Sequence, residues 1–240
     1  MSPTAEAIIR EAKLLADACN QLSFSENIAV VYNAFDYALP GYAAYVSKFV
    51  DGPRKALFLG MNPGPWGMAQ TGVPFGEIPA VSGWMGLQFE IGKPPVEHPK
   101  RPVEGLDCTR SEVSGRRLWG LFADLFGSPE VFFSDNFVLN YCPLSFMLES
   151  GANLTPDKLT AAERRPLASA CDSHLRRIIE ILQPEIAVGV GGWATKCLER
   201  QRIADLKIGT LLHPSPASPI ANKHWHERPH RQLKELGLAP

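Results

Sequence analysis

The chain has 240 residues, 45% of them hydrophobic and 20% charged, and its formal net charge is −1. This composition excludes a disordered or fibrous chain and supplies enough apolar side chains for one sizeable core, so a single domain over residues 1–240 is expected. No apolar run approaches the ~20 residues of a bilayer span, and the opening MSPTAEAIIR lacks the basic-then-apolar order of a secretory signal, which predicts a cytoplasmic protein with no membrane partner.

A helix is expected to open the chain, with Pro3 in its first turn and an apolar stripe of Ile8, Ile9, Leu14, Leu15 and Ala18. Four short apolar runs then read as strands: Ala56 to Gly60, Phe137 to Asn140, Ile186 to Val190 and Ile208 to Leu212. They lack polar alternation, as strands covered on both faces of a parallel sheet do. Periodicity predicts helices over Ser114 to Phe126, Thr160 to Leu182, Gly192 to Arg202 and Pro219 to Leu236. The alternation predicts a three-layer α/β/α sandwich around a central four-stranded, mainly parallel sheet. The segment from Asn62 to Asp107 is rich in Gly and Pro, and irregular segments of that length, when ordered, are usually functional.

The net charge conceals an asymmetry. Residues 1–160 carry 12 Lys+Arg against 17 Asp+Glu, whereas residues 161–240 carry 12 against 8 and five of the six histidines. A basic carboxyl-terminal third suits a polyanionic partner, although pairs such as Arg164-Arg165 and Arg176-Arg177 also decorate solvated helix faces. The five cysteines are too far apart in sequence for a C-x-x-C clamp, and no metal or cofactor is expected. His226 and His230 share a helical face that His224 does not, so the histidines read as a solvated helix rather than a metal site. Gly189-Val190-Gly191-Gly192-Trp193-Ala194 fits the dinucleotide pattern G-x-G-x-x-G/A, but no acid follows at ~20 residues, and the glycines read as close helix-sheet packing. Cys142 has no basic neighbour to activate it and reads as structural.

Ligands of open parallel sheets sit beyond the carboxyl ends of the strands. There the chain carries Gly60-Met61-Asn62-Pro63-Gly64-Pro65-Trp66-Gly67-Met68, Asn140-Tyr141-Cys142-Pro143 and His213-Pro214-Ser215-Pro216. One cleft is therefore expected to collect Asn62, Asn140 and His213. Each segment alone is also ordinary turn punctuation; joint occurrence favours the cleft.

The block GMNPGPWGMAQTGVPFGE, Gly60 to Glu77, resembles the first motif of the single-strand-selective monofunctional uracil-DNA glycosylases, within the uracil-DNA glycosylase superfamily. The resemblance continues through EHPKRPVEGL at Glu97, SEVSG at Ser111, PEVFF at Pro129, NLTP at Asn153 and LLHPSP at Leu211, and spans about Ala56 to Leu238. It implies a DNA repair enzyme that extrudes uracil, hydrolyses its N-glycosidic bond and leaves an abasic site. By similarity, Asn62 positions the attacking water and His213 stabilises the departing base, while Phe75 stacks on the ring and Asn140 reads its edge. Gly60, Met61, Gly64 and Met68 complete the base site, the last two walling ring C5 and leaving room for 5-hydroxymethyluracil. Trp66 reads equally as a core aromatic or a base contact.

The segment after His213 then contributes DNA contacts from Ser215, Pro216, Ala217, Ser218, Ile220 and Lys223, as the wedge that fills the gap left by the base. Ala217 and Ser218 stand where the vertebrate pattern has Arg and Asn, so duplex invasion is expected to be weak or borne by Ile220 and Lys223. The expected partner is uracil-containing DNA, single-stranded with double-stranded DNA left open, met by a monomer, nucleoid-associated if the host is prokaryotic. The alternative is a catalytically altered nucleic-acid binder that keeps the fold. Retention of both a water-orienting amide and an anion-stabilising imidazole favours the enzyme.

Overall fold

The computed structural model describes residues 1–239. The chain opens with helix α1 (Pro3–Asn20), whose first turn is capped by Ser2, its Oγ accepting from Ala5 N at 3.1 Å. The buried stripe of α1 runs through Ile8, Ala12, Leu15 and Cys19, while Leu14 is 55% exposed and Ala18 also faces solvent. The expected stripe was thus too wide: a period of 3.6 carries the inner face from position 8 to 12, 15 and 19 and turns 14 and 18 outward.

Next come β1 (Val30–Asn33), α2 (Ala34–Tyr37), α3 (Leu39–Phe49), β2 (Ala56–Gly60), α4 (Met68–Thr71), α5 (Val113–Phe126), α6 (Pro129–Asp135), β3 (Asn136–Asn140), β4 (Leu144–Met147) and β5 (Asn153–Leu154). The chain continues through α7 (Ala161–Leu182), β6 (Ile186–Val190), α8 (Gly192–Gln201), β7 (Lys207–Leu211), α9 (Pro219–His224) and α10 (Arg228–Glu235). The central sheet has order β3-β2-β6-β7, and every neighbouring pair is parallel. Strands β2, β3 and β6 are buried at all positions, as their unbroken apolar runs require. Strand β7 differs: it lies at the edge and exposes Lys207, Ile208 and Thr210.

Aromatic rings cover both faces of the sheet. Phe58 of β2 meets Phe122 of α5 edge-on at 5.1 Å on one face, while Phe137 of β3, in register with Leu57, points to the opposite face and stacks on Tyr45 of α3 at 5.3 Å. Helix α5 covers the face of Phe58, and α7 and α8 cover the other, where α1 lies against both α7 and α3. A Cβ on Gly189 would fall 2.2 Å from Thr195 N, so this glycine does serve close packing of α8 on the sheet.

A second sheet, antiparallel with order β1-β4-β5, accompanies the first. The sequence reading did not anticipate it, because strands of two to four residues are too short for a period to register. The single helix expected from Pro219 to Leu236 is two. Pro229 has no N–H to give the Trp225 carbonyl, so the helix cannot run through, and the buried Trp225 indole instead donates to Arg117 O at 3.1 Å. Among the described residues, no helix is long and apolar enough to cross a membrane.

Candidate active site

The parallel register sets Gly60 beside Asn140 at the carboxyl ends of β2 and β3, and the pairing continues as Tyr141 N donates to Gly60 O and Cys142 N to Met61 O. A cavity of about 450 Å³ opens there, lined by Met61, Asn62, Gly64, Phe75, Asn140 and His213 among others. Three distant segments therefore deliver the two amides and the imidazole to one place. Gly60 lies beneath it: a Cβ there would be 2.1 Å from Asn140 Oδ1 and 2.5 Å from the Phe75 ring. Only a residue without a side chain lets that amide and that ring adjoin.

Each polar group is held at one end and open at the other. Asn62 Nδ2 donates to Leu144 O on β4 at 3.0 Å, leaving its Oδ1 to accept. Strand β4 also clamps the next residue, Ser145 Oγ donating to Pro63 O at 3.1 Å. The buried Asn140 gives Nδ2 to Met68 Sδ at 3.1 Å, while its buried Oδ1 has no partner. The reverse amide orientation would set oxygen lone pairs against sulfur, so Met68, fully buried below the cavity rather than lining it, fixes which end of the amide faces where.

His213 Nδ1 accepts from Ser215 N at 3.1 Å, which leaves the ring proton on Nε2. Burial holds its pKa below the usual histidine range, so near neutral pH the ring is an uncharged donor. Gly191, at φ +89°, permits this approach, since a Cβ would stand 3.0 Å from His213 Cβ. Phe75 adopts φ +53°, unusual for a bulky residue, and its carbonyl accepts from Trp119 Nε1 at 3.1 Å. Strain of this kind persists where surroundings impose it, and here α5 imposes it.

The sequence reading missed Glu112. Its carboxyl packs on the Gly64–Gly67 turn so closely that a Cβ on Gly67 would lie 1.7 Å from Oε2, and that oxygen is buried without a partner. Burial, and then the nearby Glu77 carboxylate, push its pKa up to about 7. Only the block SEVSG pointed to this neighbourhood. Trp66 is a rim residue, with the Arg101 and Arg110 guanidinium groups 5.1 and 4.8 Å from its ring.

Ser215 and Pro216 line the mouth of the cavity, whereas Ala217, Ser218, Ile220 and Lys223 lie outside it on the following turn and α9. The Ser215 and Ser218 hydroxyl oxygens accept from Ala217 N and Ala221 N, which orders the turn and leaves each hydroxyl proton to donate. Arg117 of α5 steadies it by donating to Pro214 O and Asn222 Oδ1 at 3.0 and 2.9 Å. Cys142 is buried, and His224, His226 and His230 are exposed.

Known proteins resemble this chain along most of its length. The family model of the Uracil DNA glycosylase superfamily matches residues 47–233. Single-strand selective monofunctional uracil DNA glycosylase of Bos taurus is 48% identical over 239 residues, covering 98% of this chain and 88% of that protein. The Rattus norvegicus counterpart is also 48% identical, covering 98% of this chain and 86% of its own. The crystal structure of wild-type Pedobacter heparinus SMUG2 shares the fold, with a TM-score of 0.68 at 18% identity over 95% of this chain and 97% of that one. The chain belongs to the uracil-DNA glycosylase superfamily and, within it, to the family of single-strand-selective monofunctional uracil-DNA glycosylases.

Proposed function

We propose that this protein removes uracil from DNA by hydrolysing its N-glycosidic bond, and that Asn62, Phe75, Asn140 and His213 carry the reaction. The observation that carries the reading is their convergence on one cavity, each with a free group suited to a different part of an everted pyrimidine. Phe75 stacks on the ring. Asn140 accepts from N3–H through its unpartnered Oδ1 and donates to O4 through Nδ2. Cytosine presents the opposite polarity at both atoms, and the amide held by Met68 cannot turn to suit it.

As the bond between sugar C1′ and base N1 breaks, its electron pair leaves with the base and positive charge gathers on the sugar. The neutral His213 donates Nε2–H to uracil O2, where a fixed donor facing a developing anion contributes ~3 to 4 kcal/mol. Asn62 Oδ1 accepts from the water that attacks C1′. An amide cannot keep the proton the water loses, which passes to solvent while the departed uracil anion takes one up, so Asn62 orients the nucleophile rather than acting as a strong base, and turnover is slow.

The reading extends to the strand. The exposed Ala217 is too short to fill a gap in a duplex, which favours an unpaired strand as substrate and leaves Ser215, Ser218 and Lys223 to meet phosphates. The test is release of free base from a uracil-containing single-stranded oligonucleotide. Wild-type protein releases uracil, and Asn62→Ala and His213→Ala each lose ~100-fold or more while still binding DNA; wild-type rates in either variant contradict the assigned roles.

A further inference from the structure

A second depression of about 370 Å³ lies next to the base cavity, between the amino-terminal half of α7 and the length of α8. The two adjoin along the chain: Asn140 and Thr155 line the first, Tyr141 and Pro156 the second. On α8, Trp193, Lys196 and Arg200 fall three and four residues apart and form one stripe facing Arg164 and Arg165 of α7. The half-buried Trp193 meets Tyr141 edge-on at 5.3 Å, which fixes the indole. Arg200 is committed to Asp172, with bonds of 3.0 and 2.8 Å, and to Tyr141 Oη.

The other cations have no carboxylate to neutralise them: among the described residues Arg165 and Lys196 have no carboxylate partner, and Arg164 reaches only the carbonyls of Asp157 and Leu159. Asp157, the acidic residue of the depression, pairs with Lys158. The groove is therefore an aromatic surface flanked by three available positive charges. An aromatic face that accepts any base, beside cations that track phosphates, is the chemistry by which proteins hold single-stranded nucleic acid.

We propose that this groove binds the nucleotide next to the extruded uracil on an unpaired strand, its base on Trp193 and its phosphates against Arg164, Arg165 and Lys196. A duplex keeps that neighbour stacked within the helix and away from the indole, so the groove favours single-stranded substrate. The inference rests on the proposed function and adds a second subsite to it.

The experiment compares wild-type protein, Trp193→Ala and the double variant R165E/K196E in two assays. The first is anisotropy binding to a uracil-free oligothymidylate strand; the second is uracil release under limiting enzyme from strands flanked on both sides and from the unflanked nucleotide d(pUp). Trp193→Ala is expected to weaken strand binding about tenfold. R165E/K196E is expected to lower the slope of log affinity against log salt by ~1.4, the value for two lost phosphate contacts on a single strand. Both lose uracil release from flanked strands relative to d(pUp). Since Arg165 and Lys196 are exposed, the double variant keeps its fold, which an unchanged urea midpoint verifies. Unchanged binding and salt slope, or an equal loss on d(pUp), overturns the groove. If wild-type protein releases no uracil while Trp193→Ala still weakens strand binding, the proposed function fails and the groove stands.

Discussion

Gly60 decides whether the Asn140 amide and the Phe75 ring can adjoin. Gly60→Ala must move one or both, because its Cβ would sit 2.1 Å from Asn140 Oδ1. Displacement of that order costs ~100-fold in uracil release, read in a single-turnover assay beside an unchanged circular-dichroism spectrum. Two buried titratable residues oppose each other in acid. Glu112, at about 7, keeps its proton in the folded chain where the unfolded chain has lost it, so its contribution is full below about pH 4.5 and disappears as pH rises to about 7. His174, whose two ring nitrogens lack partners, is lowered to about 4 by burial; its contribution is present above about pH 6.5 and disappears as pH falls towards 4. Glu112→Gln therefore gains in Tm on wild type between about pH 5 and 8, and His174→Phe gains on it between about pH 6.5 and 4.5. Parallel Tm curves contradict both assignments. Neither residue was legible in the sequence, since their state depends on burial among segments distant in the chain. Asn62, Asn140 and His213 were legible because strand ends can be read as strand ends; Phe75 came from the resemblance alone.

At the scale of elements, α7 shows a prediction held by local chemistry. Thr160 caps it, Glu163 returns a bond to the Thr160 backbone, and the same carboxylate takes Ser25 N and Oγ at 2.6 and 2.7 Å. These bonds, Thr160 Oγ1 first, lower the Glu163 pKa to about 2. Thr160→Ala should cost ~1 kcal/mol, seen as a lower urea midpoint with unchanged slope. Strands β2, β3 and β6 were readable because burial on both faces leaves an unbroken apolar run, and β7 through Ile208, Leu211 and the following Leu212, although its edge position exposes Lys207, Ile208 and Thr210. The segment 34–49 was not, as Pro40 and Gly41 resemble turn residues. Pro40 instead starts α3, and Gly41 lets it approach Thr71 O, where a Cβ would lie at 1.9 Å. Overlooking β4 hid the anchor of Asn62, whose free amide oxygen is understood only with Leu144 behind it.

Over the whole molecule, the charge asymmetry takes on a location. Arg164, Arg165 and Lys196, all from the basic carboxyl-terminal third, border a groove beside the cavity, and Lys223 of the same third lies on α9, after the His213 segment. That distribution fits a strand crossing the carboxyl ends of β2, β3 and β6, with one base turned down among Asn62, Asn140 and His213. The central claim is that a rotationally fixed Asn140 reads that base. The most direct test is to compare single-turnover release of uracil and of cytosine from otherwise identical single strands, for wild-type protein and Met68→Leu. Wild-type protein should prefer uracil by ~10⁴-fold or more, and Met68→Leu, which removes the sulfur that fixes the amide, should narrow that preference. Comparable release of both bases by wild-type protein, or a preference untouched by Met68→Leu, would contradict it.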